Sequence, residues 1–290
     1  MSVPHELAMT LAVAVEQGSL DGAARALHVT QPAVTQRIQA LERTLGQVLL
    51  VRSRPVRPTA AGEIVIRYAR QVDLLDRDVV AALGVAGKRA AVAIAVNGDS
   101  LATWFLEPLA ALADQLEVTF DLHREDESRT VDLLAAGTVA AAVTTRSTPI
   151  PGCTVTLLGD MRYTAHASAA FVDRWFADGV SASALAVAPV VDIDADDELQ
   201  SRYLTACGVE PGAPPRHRIP GSGEMVRAIE QSMGWAVLPH DLSESATGLV
   251  GLGGPAVTVP LYWQQWRVQS ELLNRVAQGL AAAAARALRR

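Results

Sequence analysis

The chain is poor in several things at once, and each shortage closes a class of function. It has two cysteines, Cys153 and Cys207, with no metal-type spacing, so neither a zinc site nor a disulfide framework is expected. Both read as small buried hydrophobes in a reducing, cytoplasmic compartment. No apolar run reaches roughly 18 residues without a charge, which argues against a membrane-spanning helix. The opening "MSVPHELAMT" has no basic stretch of the kind that starts a secretion signal. Enzyme constellations are missing too. The six histidines are scattered, without an H-E-x-x-H pair, and there is no Walker loop. "GSGE" at 221–224 lacks the spacing of a nucleophile elbow and reads as a loop and helix cap. The expectation is a protein that is not an enzyme and uses neither cofactor nor metal. Lysine occurs once, at Lys88, so arginine carries almost all of the positive charge.

What is present is ample apolar material. The chain has 290 residues, 50% of them hydrophobic, enough for two or three packed units. The net charge of −6 argues against a nucleic-acid partner until the charges are placed. From Gly22 to Ala61 the basic residues are Arg25, Arg37, Arg43, Arg52, Arg54 and Arg57, and the one acid is Glu42. The acids gather later, in "REDE" (124–127) and "DIDADDE" (192–198). A basic head on an acidic body follows.

The head has a recognisable rhythm. Residues 5–16 read as a helix with Leu7, Leu11, Ala14 and Val15 inward. "GSLDGAARALHVT" (18–30) holds a short helix capped by Ser19, with Ala23, Ala24 and Leu27 as a small apolar face. "TQPAVTQRIQALE" (30–42) is a second helix capped by Thr30, its buried stripe Val34, Ile38, Leu41 and Leu45. Two short helices, a tight turn and small alanines at the crossing make helix-turn-helix spacing. "LLVRSRPVRPTAAG" (49–62) offers a short strand, proline turns and three arginines, a basic wing.

From Thr59 a longer helix begins. Val65, Tyr68, Val72, Leu75, Val79 and Ala82 repeat with steps of three and four, an a/d seam. With Arg67, Arg70, Asp73, Asp76, Arg77 and Asp78 taken as outer positions, the seam reads as a dimer-forming linker helix. A helix packed on its own domain is the alternative. "GVAGKR" (84–89) reads as a hinge. Beyond residue 90 strands and helices alternate: 90–96, 99–112, 117–125, 128–137 and 139–145, then 186–193, 196–206, 215–220, 223–233 and 235–239, with a closing helix at 270–289. This order implies mostly parallel, doubly wound sheets in two lobes around a cleft, similar to periplasmic-binding-protein-like ligand domains.

The stretch from Ser19 to Gly62 resembles the LysR-type transcriptional regulators. The residues that carry the likeness are "GS" (18–19), "AARALHVTQPAVTQRIQALE" (23–42), Gly46, "LL" (49–50), Arg52 and "PTAAGE" (58–63). Linker helix and two-lobed domain then fall where that family has them. More narrowly, "RPTAAGE", "AVNGDSLATWFL" (95–106), "EDESRT" (125–130), "APVVDIDADD" (188–197) and "LYWQQW" (261–266) are similar to the ArgP/LysG branch. Leu20 and Leu50 depart from the phenylalanines common in the wider family; the branch shares the second departure. The resemblance implies a fold of class α/β with an N-terminal all-α winged helix-turn-helix at 1–62, a linker helix and hinge at 63–89, and a two-lobed effector domain at 90–290. It also implies a homodimer or homotetramer on double-stranded promoter DNA, an L-lysine or L-arginine effector, and control of genes such as amino-acid exporters.

The DNA-facing set is then Gln31, Pro32, Thr35 and Gln36 at the start of the second helix, where amides read base edges. Arg37, Arg43, Arg52, Arg54 and Arg57 are expected at phosphates. In the cleft, ligands sit beyond the C-terminal ends of strands. That places Asn97, Asp99, Ser100 and Thr103 in the effector set, with backbone N–H groups around Ser100 to Thr103 for a carboxylate. Glu125, Asp126 and Asp192 are expected to meet cationic groups, and Thr144 and Thr145 end a strand on the same edge. Asp196 and Asp197 read as caps rather than ligands. Val65, Tyr68, Val72, Leu75 and Val79 form the expected dimer face. The rival from another class is an α/β small-molecule binder or enzyme without DNA binding, which has no use for the basic stretch 22–61.

Overall fold

The computed structural model describes residues 2–51, 53–84, 91–125 and 127–288. Arg52, Asp126 and the expected hinge beyond Gly84 lie outside the described residues. The head comprises α1 (His5–Glu16), α2 (Leu20–Ala26), α3 (Gln31–Leu45), the short strands β1 (Leu50–Val51) and β2 (Arg57–Pro58), and the start of α4 (Ala60–Ala82). Its caps follow the chemistry of the sequence: the side chains of Ser19, Thr30 and Thr59 accept hydrogen bonds from Gly22, Ala33 and Gly62 N–H. β1 and β2 pair antiparallel as the wing. One core joins the three helices to the linker, with Leu11, Val34, Ile38, Leu41 and Leu49 packed on Val65, Ile66 and Ala69. Gly62 sits where α4 meets the wing, and a Cβ there would collide with the Leu49 carbonyl.

The rest forms two lobes. Lobe I contains β3 (Ala91–Val96), α5 (Gly98–Ala102), α6 (Leu106–Leu116), β4 (Thr119–Arg124), α7 (Glu127–Ala135) and β5 (Ala141–Thr144). β6 (Cys153–Ser168) leads to lobe II, with α8 (Ala169–Trp175), α9 (Ala182–Leu185), β7 (Val190–Asp192), α10 (Leu199–Ala206), β8 (Arg216–Arg218), α11 (Ser222–Glu230), β9 (Ala236–Pro239), α12 (His240–Ser245) and β10 (Leu249–Gly251). β11 (Val257–Trp266) and α13 (Glu271–Ala287) return the chain to lobe I. β3 pairs parallel with β4 and β5, as does β7 with β8, so the βαβ reading holds inside each lobe.

The sheet as a whole is mixed rather than mostly parallel. β6 and β11 run antiparallel through ten paired positions with a bulge at Leu261/Tyr262, and β11 also pairs with β5 while β6 pairs with β9 and β10. These two long strands carry the sheet of lobe I on to β9 and β10 of lobe II, while β7 and β8 form a separate two-stranded sheet. The single helix expected over 99–112 is broken at Thr103, so α5 and α6 are separate. Among the described residues no helix is long and apolar enough to cross a membrane.

The linker helix does not keep all its charges in solvent. Arg67 donates to the carbonyls of Ala135 (3.5 Å) and Pro151 (3.2 Å), and Arg70 to that of Gly137 (2.8 Å). Arg70 also reaches Glu16 at 3.5 Å. Farther along, the Asp78 carboxylate accepts the N–H groups of Glu271 (3.1 Å) and Leu272 (3.3 Å). Two arginines thus meet the C-terminal end of α7 and an aspartate meets the N-terminal end of α13, each charge on the helix end it complements. Leu74 between them is buried in the core of lobe I. Periodicity marks these positions as polar but does not say what they meet.

Candidate DNA-binding face and effector cleft

The start of α3 is open. Gln31, Pro32 and Gln36 are exposed and Thr35 is half-buried, its hydroxyl donating to the Gln31 carbonyl (3.1 Å). Arg43, in the last turn of α3, and Arg54 and Arg57 of the wing are exposed as well, so the head offers both amides and guanidinium groups to solvent. Arg37, expected at a phosphate, has a partner within the head. Its guanidinium pairs with Glu6 of α1 at 2.8 Å and serves the packing of two helices. Along α4, Tyr68, Leu75 and Val79 are 37%, 36% and 58% exposed. Val65, assigned to the same seam, is instead buried in the head, because its turn of α4 already packs against α1 and α3. Val72 is half-buried.

In the effector domain, Asn97–Ser100, Arg124–Glu125 and Thr144–Thr145 lie at or just beyond the C-terminal ends of the parallel strands β3, β4 and β5. Asn97, not Asp99 or Ser100, is the N-cap residue of α5, and it makes no side-chain cap bond. Asp99 is therefore available to reach across the cleft. Its Oδ1 accepts the Ser222 hydroxyl (2.7 Å) and its Oδ2 the Tyr163 hydroxyl (3.0 Å), both from lobe II. Removal from water pushes the Asp99 carboxyl up, against the two hydrogen bonds, and Asp197 pushes it further. The same burial, with Asp99 beside it, holds the Tyr163 phenol well above its usual range. Next along the chain, Ser100 is fully buried, and its hydroxyl and the Asn97 side-chain oxygen meet no hydrogen-bond partner among the described residues. Buried polar atoms without partners are uncommon enough to mark a place for a ligand or water.

Several expected contacts are otherwise engaged. The N–H groups of Leu101 and Thr103 bond to the carbonyls of Asn97 and Ser100, so they are not offered to a carboxylate. The Thr103 hydroxyl donates to the Asp99 carbonyl (2.7 Å), and the residue lines a small cavity of about 40 Å³ with Arg162 and His240. Glu125 pairs with Arg129 at 3.3 Å. Thr144 is buried and accepts the Arg146 N–H (3.1 Å); Thr145 is half-buried on the same edge. Asp192 is a correction: its carboxylate is taken up by Arg216, at 2.7 and 2.8 Å, inside lobe II. Burial of Asp192 beside an arginine one strand away satisfies the charge internally. The "LYWQQW" segment is structural, since Gln264 is buried and holds the Arg146 and Thr148 carbonyls and the Ile150 N–H.

Tyr163, Ser222 and Arg124 lie at the site with no motif in the sequence to mark them. Tyr163 lies in an alternation of buried residues, Met161, Tyr163, Ala165 and Ala167, that was a strand signal in the sequence. Ser222 is not a helix cap: Gly221 caps α11 and the serine occupies its first turn. Arg124 extends along the cleft, close to both Gly98 and Gly221. Asp197 lies one residue before Glu198, the N-cap position of α10, and its carboxylate accepts the N–H groups of Ile193 (3.0 Å) and Leu199 (3.1 Å).

A winged helix-turn-helix head, a long helix and a two-lobed domain with a polar cleft define a DNA-binding transcriptional regulator that answers to a small molecule. Residues 6–63 match the bacterial regulatory helix-turn-helix proteins of the lysR family, and residues 86–287 match the LysR substrate binding domain. The chain belongs to the LysR family. It is 40% identical over 279 residues to the HTH-type transcriptional regulator LysG of Mycobacterium tuberculosis, covering 94% of this chain and 91% of the relative. Against the HTH-type transcriptional regulator ArgP of Pseudomonas aeruginosa it is 39% identical over 287 residues, 97% and 95% of the two chains. Its fold is similar to the crystal structure of ArgP from Mycobacterium tuberculosis, with a TM-score of 0.86 at 39% identity over 98% of each chain. It is also similar to full-length LysG from Corynebacterium glutamicum with bound effector Arg, with a TM-score of 0.78 at 33% identity over 99% and 100%. These relatives are transcriptional regulators, not enzymes.

Proposed function

We propose that this regulator senses a basic α-amino acid, L-arginine or L-lysine, between its lobes and controls genes of amino-acid export or metabolism from the cytoplasm. The observation that carries the reading is Asp99: a carboxylate set back from water at the junction of the lobes, held by two neutral hydroxyls and by no cation among the described residues. A ligand that brings positive charge completes that site. The unpartnered Ser100 hydroxyl beside it suits the ligand carboxylate. The LysG structure from Corynebacterium glutamicum, 33% identical to this chain, holds arginine. Gln31, Pro32, Thr35 and Gln36 read bases, and Arg43, Arg54 and Arg57 meet phosphates. Tyr68, Val72, Leu75 and Val79 form the dimer face of a homodimer or homotetramer. We place the units at 1–62, 63–89 and 90–290. Calorimetry on the full chain tests the effector. L-Arginine or L-lysine is expected to give saturable heat, and Asp99→Asn to weaken it about tenfold or more, the value of a lost charge-assisted hydrogen bond. Absence of heat with both amino acids removes the effector class. A gel-shift with the protein's own upstream DNA, with and without the amino acid, tests the regulator.

A further inference from the structure

The polar groups at the lobe junction differ in what they still have to offer. A hydroxyl has one hydrogen and two lone pairs. Ser222 and Tyr163 both spend their hydrogen on Asp99, at 2.7 and 3.0 Å, one to each carboxylate oxygen. Both side chains are buried, at 6% and 3% exposure. What they present to the cleft is lone pairs only. Asp99 adds the remaining lone pairs of its carboxylate, and the buried Asn97 side-chain oxygen is a further acceptor with no partner among the described residues. Three elements from both lobes thus converge on a cluster of acceptors. Such a cluster fits a compact group with several N–H donors and a positive charge.

We propose that Asp99, Tyr163 and Ser222 form the seat of the effector's α-ammonium group, with Asp99 as the charge and the two hydroxyls as the positioning groups that fix its oxygens. The shape of the acceptor cluster decides between the two cations of a basic amino acid. The three hydrogens of an ammonium diverge from one atom and can meet acceptors converging from three elements, whereas a guanidinium spreads its donors in one plane. This inference rests on the amino-acid reading above and deepens it. The charged groups around the seat are Asp197 before α10, Glu224 on α11, which pairs with Arg227, and Arg124 at the end of β4. None of them donates to Asp99 among the described residues.

The test is a cycle of variants against ligand analogues, read by calorimetry on the full chain. The ligands are L-arginine, its des-amino analogue 5-guanidinopentanoate, and agmatine, which keeps the amine and lacks the carboxylate. Wild type is expected to bind 5-guanidinopentanoate at least tenfold more weakly than L-arginine. Ser222→Ala and Tyr163→Phe are expected to weaken L-arginine and agmatine several-fold while leaving 5-guanidinopentanoate unchanged, since it has nothing to place in the seat. Ser222→Thr keeps a hydroxyl and should restore L-arginine binding. An equal loss for L-arginine and 5-guanidinopentanoate would place the guanidinium at this cluster, or reduce the hydroxyls to packing groups, and overturns the assignment. Unchanged L-arginine affinity in both variants overturns it as well, with the amino-acid reading intact. If wild type binds neither L-arginine nor L-lysine, both readings fall.

Discussion

Replacing Gly137 with alanine tests how the DNA-binding half is joined to the sensing half. Gly137 has φ +76° and follows α7, where its carbonyl accepts from Arg70. A Cβ there would lie 2.6 Å from Cα of Arg67 and 2.7 Å from its Cβ. Backbone cannot swing away as a side-chain tip does, so α4 must shift. Gly46 is the built-in control. It has φ +65° at the end of α3, with nothing within 4 Å of its Cβ. The left-handed conformation costs an alanine about 1–2 kcal/mol at either position. Gly137→Ala adds the loss of the part-buried Arg70 bond, about 1 kcal/mol, and of the packing of α4 on lobe I. It should therefore destabilise by roughly 1–2 kcal/mol more than Gly46→Ala. Hydrogen exchange locates the effect. If the contacts of Arg67, Arg70 and Asp78 act as a unit, protection falls together at residues 67–70, at 135–138 and at the Glu271 and Leu272 amides that Asp78 caps. Loss confined to 135–138, or equal effects at Gly137 and Gly46, would refute that the linker helix docks on lobe I as one body.

Three further outcomes follow from the site. Gln31→Ala is expected to weaken specific DNA binding by about 1–3 kcal/mol and leave random DNA nearly untouched, because base contacts discriminate and phosphate contacts do not; competition gel-shifts with random DNA would place Gln31 among phosphate contacts if both fell alike. Leu75→Asp puts a charge on the exposed seam of α4, and sedimentation should show a smaller species; an unchanged oligomer removes that seam as the interface. Desolvation raises the Asp99 carboxyl above its ordinary 3.8, so the folded state holds that proton more tightly than the unfolded state. The associated stability is full at acid pH and lost as pH rises through the raised folded value. Asp99→Asn, which cannot ionise, should gain on wild type in denaturant titrations as pH rises from below 3.8 through the raised folded value, and a difference that stays constant over that rise contradicts the account.

Much of the head was legible because local rules agree there. Ser19, Thr30 and Thr59 cap the helices that their positions announce, and the stripe Val34, Ile38, Leu41 is buried as spaced. Lobe I was legible for the same reason: β3, β4 and β5 are apolar or alternating runs separated by helical segments, although the helix expected over 99–112 is two, α5 and α6. The long strands β6 and β11 were not drawn from the sequence, although Met161, Tyr163, Ala165 and Ala167 alternate. A strand that leaves one lobe and pairs in another carries no local signal of its partners. Arg37 and Asp192 show the limit for charges. Periodicity did not show that Glu6 pairs with the one and Arg216 with the other.

By itself the sequence determined the helix-turn-helix with its glutamine face, the basic head on an acidic body, the linker helix and the presence of Asp99 and Ser100 at a strand end. Those features depend on neighbours three, four or two residues away, which periodicity and capping report. Tertiary structure alone decided that Arg67, Arg70 and Asp78 turn toward lobe I, that Val65 belongs to the head, and that Ser222 and Tyr163 meet on Asp99. The last contacts span 123 and 64 residues of chain. Whether a polar side chain faces water or a partner is settled only when distant backbone arrives beside it, because burial without a partner costs more than the bond itself contributes.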